Sequence, residues 1–221
     1  MYGGGMNEHN TAQQMKWLLF ALVLVCSFYV PMSAQKAKAE GVARAGYESG
    51  FNEQFTTSAS NWDIVNGKWT YDSGFLRGNG VKAGWSSVYF SKAFYTNIDY
   101  QVRMRRTGCP NCYNQIYVRG AGSKNVYFGY TNTGAYTIGA CTESKCTTWK
   151  NVTNTTSIVQ GGYNTLRMAA AGNLYKFYIN NKLVYSVTKS GWSSGWVGID
   201  FFSWVTAGNR LDVDWAVLNK K

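Results

Sequence analysis

Between Tyr163 and Phe202 the chain alternates so regularly that few folds can hold it. Leu166, Met168 and Ala170 interleave with Arg167 and Ala169, and Ala171-Gly172-Asn173 then turns the chain. Residues 174–179 run back, Asn180-Asn181 turns again, 182–187 run out, and after Gly191-Trp192-Ser193-Ser194-Gly195 a last strand covers 196–202. A two-residue period rich in β-branched and aromatic side chains marks strands with one buried face. Asn-Asn between two such strands suits a type I′ turn, because asparagine tolerates positive φ at both central positions.

The same rhythm predicts strands over 50–55, 62–65, 68–71, 75–77, 85–94, 99–106, 115–119, 126–131 and 135–140. Trp149 and Val152 lead through a Thr/Asn-rich loop, 153–156, into the stretch above, and a final strand over 210–218 returns beside the first. No helix longer than a turn is expected after residue 34. Aromatic residues make up 16% of the chain and charged ones 15%, and 24 Gly against 2 Pro supply tight turns. A dozen or so short strands in 221 residues imply one all-β domain, a two-sheet antiparallel jelly-roll sandwich over 47–221.

The first residues read differently. Lys16 precedes an apolar run over 17–30, followed by Pro31-Met32-Ser33-Ala34. The run is shorter than the about 20 residues that span a bilayer. Charge, apolar centre and small-residue exit instead describe a secretory signal, 1–34, cleaved after Ala34 or alternatively near Ala37-Lys38-Ala39. Met15 is a second candidate start. Cys26 stands in an imperfect lipoprotein box, with Val25 where a small residue is expected. A basic, Ala-rich linker over 35–46 precedes the domain. The expected location is secreted, periplasmic or extracellular, with an uncleaved signal-anchor as the other reading and no further membrane contact.

The series N-x-L-R, G-x-L-Y-x-F-Y-I-N-N and G-W-V-G-I over 164–199 resembles the C-terminal half of concanavalin A-like jelly rolls. Phe51, Phe55, Trp62, Gly67-Lys68-Trp69 and Gly74-Phe75-Leu76 are similar to the opening of laminin-G-like and 3-keto-disaccharide hydrolase-like domains. The resemblance implies the fold. It leaves lectin, adhesion module, hydrolase and lyase open.

Cys109, Cys112, Cys141 and Cys146 remain beyond the leader, in two tight groups. An even count in an exported chain points to disulfides, each closing its own hairpin. Four thiolates are also a zinc-ligand set.

The single histidine, His9, lies in the leader, so the domain has no imidazole for a nucleophilic triad or a His-ligated metal. The E-x-D-x-x-E strand of laminarinase-type jelly rolls is absent. Asp212 and Asp214 share one face of the last strand and are where calcium would bind, although Leu211, Val213 and Trp215 make that face look solvent-facing on an edge strand. Arg103-Met104-Arg105-Arg106 followed by Gln115-Ile116-Tyr117 is similar in order to alginate-lyase strands, with Tyr117 where those carry histidine.

Binding needs less than catalysis. Arg103 and Arg105 share one strand face, Tyr117 and Arg119 another, and pairing of the two strands across Cys109–Cys112 would merge them into one patch that Tyr127 extends. Guanidinium forks suit carboxylate and sulfate. Trp85, Trp192 and Trp204 stand in or beside Gly/Ser-rich turns as stacking platforms, whereas Trp62, Trp69, Trp196 and Trp215 read as core. A formal charge of +11 favours anionic partners. The expectation is therefore an exported module that binds carbohydrate, with acidic polysaccharide foremost and nucleic acid excluded. It needs no catalysis and no cofactor. Its ligand residues are Arg103, Arg105, Tyr117, Arg119, Tyr127, Trp85 and Trp204. A glycosidase or lyase of the same fold and an envelope adhesion module are the alternatives.

Overall fold

The structure, a computed structural model, describes residues 50–56, 61–204 and 208–221. The expected signal segment, the linker, Cys26 and the domain start at 47 lie outside the described residues.

Fifteen strands follow one another: β1 (Gly50–Glu53), β2 (Trp62–Asn66), β3 (Lys68–Asp72), β4 (Phe75–Asn79), β5 (Gly84–Tyr95), β6 (Ile98–Thr107), β7 (Asn114–Ala121), β8 (Lys124–Tyr130), β9 (Ala135–Cys141), β10 (Cys146–Asn154), β11 (Asn164–Ala171), β12 (Leu174–Ile179), β13 (Lys182–Thr188), β14 (Gly195–Ser203) and β15 (Arg210–Lys220). They form two antiparallel sheets. The first runs β13-β12-β11-β6-β15-β4-β3, with β1 added to β15, and the second runs β10-β9-β8-β7-β14-β5-β2.

The two-residue period sets which side chains meet. Tyr100, Val102 and Met104 of β6 and Leu166, Met168 and Ala170 of β11 point inward from the first sheet. Ile116 and Val118 of β7 and Val197, Ile199 and Phe201 of β14 point inward from the second. Edge-on ring contacts join the layers, Phe128 to Phe177 at 5.5 Å and Trp69 to Phe201 at 5.3 Å. The β12–β13 turn has φ of 48° at Asn180 and 68° at Asn181, as the Asn-Asn pair predicts. β15 returns beside β1, also as expected.

Three expectations are corrected. β6 and β7 do not pair: β6 lies between β11 and β15, and β7 between β14 and β8, so the Cys109–Cys112 loop carries the chain from one sheet to the other. Adjacent strands joined by a short loop suggest a hairpin, but both bury their apolar parity in the same core from opposite sides. β10 is a strand, although register shifts after Thr148 and Lys150 break its alternation. β15 is interior, between β6 and β4, and not an edge. The Cys141–Cys146 disulfide does close its own hairpin, bridging directly opposed residues of β9 and β10.

Candidate functional site

Two groups with raised pKa, Asp200 and Tyr89, lie on the outer face of the second sheet near its middle. Cross-strand register builds two rows there. One runs Ser87, Asp200, Gln115, Gly129 and Thr137 across β5, β14, β7, β8 and β9. The next runs Asp63, Tyr89, Gly198, Tyr117, Tyr127 and Gly139 from β2 to β9.

Asp200 is the centre of the first row. Its parity turns it away from Ile199 and Phe201, yet it is 3% exposed. The Ser87 hydroxyl donates to one carboxylate oxygen, and the Gln115 amide donates to the other at 3.0 Å. Burial pushes its pKa up to about 6, against the downward pull of those two donors. Tyr89 donates its hydroxyl to Asp63 at 3.3 Å, and burial together with that carboxylate raises the phenol to about 12.

Tyrosines lie flat beside this floor because glycines leave room. A side chain at Gly198 would collide with the Tyr117 ring, and one at Gly139 with the Tyr127 ring and hydroxyl. Tyr117 is buried and Tyr127 half-buried. Trp196 stands beside them, tilted against Tyr89 at 4.9 Å and the exposed Phe94 at 4.8 Å. At the other end, Phe202 is flanked edge-on by Trp85 at 5.3 Å and Trp204 at 4.4 Å. Trp204 is 45% exposed. The arrangement is a buried polar floor with half-exposed aromatic edges.

The expected arginine–tyrosine patch is divided between opposite sheets. Tyr117, Tyr127, Trp85 and Trp204 belong to the second sheet and its flanking turn. Arg103 and Arg105 lie on the outer face of the first. Both guanidinium groups stack on Tyr163, at 4.4 and 4.7 Å from its ring centre, Arg103 pairing with Asp214 and Arg105 with Asp212. Asp212 also binds Arg77 at 2.8 Å and Arg210 at 3.0 Å and is 1% exposed, so it is the hub of an arginine network and not a solvent-facing carboxylate.

Arg119 is 2% exposed. Its φ of 54° at a bulge between Val118 and Ala121 breaks the strand alternation and turns the side chain inward. It donates to the carbonyls of Thr96, Gly172 and Trp192 and to the Tyr175 hydroxyl. Trp192 is likewise structural, donating its indole N–H to the Cys141 carbonyl at 2.9 Å. Trp196, expected in the core, lies on the outer face. Among the described residues no group of three or more His, Cys, Asp or Glu side chains is placed to hold a metal, and the four cysteines form two disulfides.

Asp200, Trp196, Ser87 and Phe202 are site residues that sequence reasoning missed. The signal lay in Trp196-Val197-Gly198-Ile199-Asp200-Phe201-Phe202, whose parity puts a carboxylate in line with a glycine and two aromatics on the non-core face.

The fold is a concanavalin A-like jelly roll. A Bacillus licheniformis beta-glucanase superposes with a TM-score of 0.63 at 13% identity, covering 80% of this chain and 100% of its own. The carbohydrate binding module CBM66 from Bacillus subtilis gives 0.57 at 17%, covering 74% and 94%. The Crh5 transglycosylase in its apo form gives 0.62 at 11%, covering 86% and 90%. At these identities the likeness is one of fold. No protein-family model matches the chain, and no curated protein matches it in sequence.

Proposed function

We propose that this protein is an exported carbohydrate-binding β-sandwich that takes a glycan chain on the outer face of its second sheet, without catalysing a reaction on it. The observation that carries this reading is the aromatic cluster Trp85–Phe202–Trp204 one row from the polar floor of Ser87, Asp200 and Gln115. Sugar rings stack on aromatic faces, and a planar carboxylate or amide fixes their hydroxyls. Tyr127 and Trp196 continue the aromatic edge along the sheet. Arg103, Arg105 and Arg119 fall outside this site. The fold shared with a beta-glucanase and a carbohydrate binding module supports a carbohydrate ligand, and the two disulfides support an oxidising compartment.

A second reading, glycoside hydrolysis, is favoured by one observation. Burial lets Asp200 keep its proton up to about pH 6, and Asp63 lies on the same face two strands away, so the face carries two carboxyl groups, one of them a raised acid.

Calorimetric titration against neutral β-glucan oligosaccharides tests both readings. Trp204→Ala and Tyr127→Ala are each expected to weaken binding about tenfold, roughly 1.4 kcal/mol, with the melting temperature unchanged. Full affinity in both variants refutes the assignment of the face. Release of reducing ends that stops in Asp200→Asn replaces the binding module with the hydrolase.

A further inference from the structure

The basic charge of the domain is distributed in two different ways. The arginines of the first sheet's outer face are spent on aspartates: Arg77, Arg103, Arg105 and Arg210 on Asp72, Asp212 and Asp214, and Arg167 on Asp99. Lysines gather elsewhere. β10 ends the second sheet and β13 ends the first, and the two meet along one side of the sandwich. There Tyr185 donates its hydroxyl to the Trp149 carbonyl at 3.2 Å, and Tyr136 donates to the Val184 carbonyl at 3.2 Å.

Lys145 and Lys189 stand at one end of this seam, Lys150 in its middle and Lys182 at its other end. Trp192, three residues after Lys189, bonds to Cys141, which pairs with Cys146 next to Lys145. The Lys150 ammonium lies 5.9 Å from the Tyr185 ring and so reaches from one sheet to the other. Among the described residues none of the four has a carboxylate within 4.0 Å, and Glu143 is the one acidic residue on the β9–β10 and β12–β13 hairpins.

We propose that this lysine seam is a docking strip for an acidic polysaccharide, a chain carrying carboxylate or sulfate groups. The strip does not depend on the glycan face of the second sheet. Seven residues of β13 span roughly 20 Å at the rise of a strand. With Lys150 midway, neighbouring charges along it stand roughly 10 Å apart, about the Debye length at 0.1 M salt and well inside it at 0.01 M, so their fields add at low salt.

The backbones that carry the lysines are already fixed. Lys145 sits in the disulfide-closed turn, where its amide and carbonyl both bond Thr142. Lys182 follows the Asn180-Asn181 turn, and the Lys189 amide donates to Asn173 at 2.9 Å. Exposed Thr147, Thr148, Ser186 and Thr188 supply neutral partners for sugar hydroxyls. The strip has no platform for a nucleobase, since Tyr185 lies beneath Lys150 and Trp149 packs on Trp192 and Tyr175. Lysine at sheet edges also deters strand-to-strand aggregation, which calls for charge but for no partner.

The test is affinity of the whole chain for alginate and heparin across a salt series, with dextran and duplex DNA as controls. Wild type is expected to bind both acidic glycans at 50 mM salt, to release them as salt rises and to ignore dextran. Lys150→Ala/Lys182→Ala/Lys189→Ala is expected to weaken binding at least tenfold and to flatten the salt slope by roughly two to three, as loss of that many counterion-releasing contacts requires. Lys150→Arg/Lys182→Arg/Lys189→Arg, which keeps the charge, should retain binding. Lys68→Ala/Lys82→Ala/Lys124→Ala, which removes equal charge from exposed sites elsewhere, should leave it within twofold. Equal losses in the two alanine variants overturn the strip in favour of net charge. So does duplex binding as tight as that of the acidic glycans, or aggregation of the seam variant with binding intact. Neutral-glycan titration on the same preparations keeps failure of the strip distinct from failure of the second-sheet face.

Discussion

Replacing Asp200 by asparagine tests the physical basis of the site directly. The carboxyl is fully enclosed and its pKa is about 6, against an ordinary 3.8. Because the folded value is the higher one, the native state binds more protons than the unfolded chain between pH 4 and 6. Stability from this group is therefore full below about pH 4 and is lost as pH rises through 6. At about 1.4 kcal/mol for each pH unit separating the two values, ionised Asp200 costs the native state about 3 kcal/mol at pH 7.5. Asparagine keeps the shape and an acceptor for the Ser87 hydroxyl. A turn of the Gln115 amide then presents its oxygen to the new N–H group. Urea unfolding of wild type and Asp200→Asn at pH 4.5, 6.0 and 7.5 isolates the group, since the other carboxylates are common to both proteins. The variant should gain on the wild type by about 2 kcal/mol between the first and last pH. A difference that stays flat with pH refutes the burial argument, and with it the view that the face encloses a neutral acid.

Substitutions at two further places probe the scaffold. Arg119→Ala strips donors from three backbone carbonyls and from Tyr175 in the interior and is expected to cost about 3 to 5 kcal/mol. Arg119→Lys recovers little, because one ammonium cannot reach all four acceptors, and denaturant midpoints of both variants measure this. Cys141→Ser/Cys146→Ser should cost less than about 3 kcal/mol, since a five-residue separation confines little of the unfolded chain. Calorimetric melting checks it, and a loss larger than that of Arg119→Ala would reverse the ranking.

What could be read from the sequence is what local chemistry decides. The β11–β14 region follows from parity and an Asn-Asn turn, and its strands begin and end within one or two residues of the expected limits. β15 is legible for the same reason, as a Leu211–Val213 alternation that needs a buried partner. The patch of Arg103, Arg105, Tyr117 and Arg119 was illegible because it depends on which sheet each strand joins, and alternation is the same for either. Arg119 adds a second obstacle: a single residue in the left-handed region reverses its side chain, and nothing in Val118-Arg119-Gly120 announces that a bulge rather than a turn will form. Asp200 was readable from parity alone. As a lone carboxylate it matches no two-acid motif.

The two outer faces of the sandwich use their charges in opposite ways, and that decides where a ligand can gain. On the first sheet Asp212 already receives Arg77, Arg105 and Arg210, and burial of Asp99, which alone would raise its pKa, is outweighed by Arg167 and Lys221, so the carboxyl is held below its ordinary range. A glycan acid approaching Arg103 or Arg105 would have to displace an aspartate and unstack Tyr163, exchanging one ion pair for another at little net gain. On the second sheet Asp200 is bound by neutral donors, and its surrounding tyrosines and tryptophans offer area without competing charge. Arginine-rich sequence thus marks where this fold holds itself together, whereas the sparsely charged face and the lysine seam are where it has capacity to hold something else.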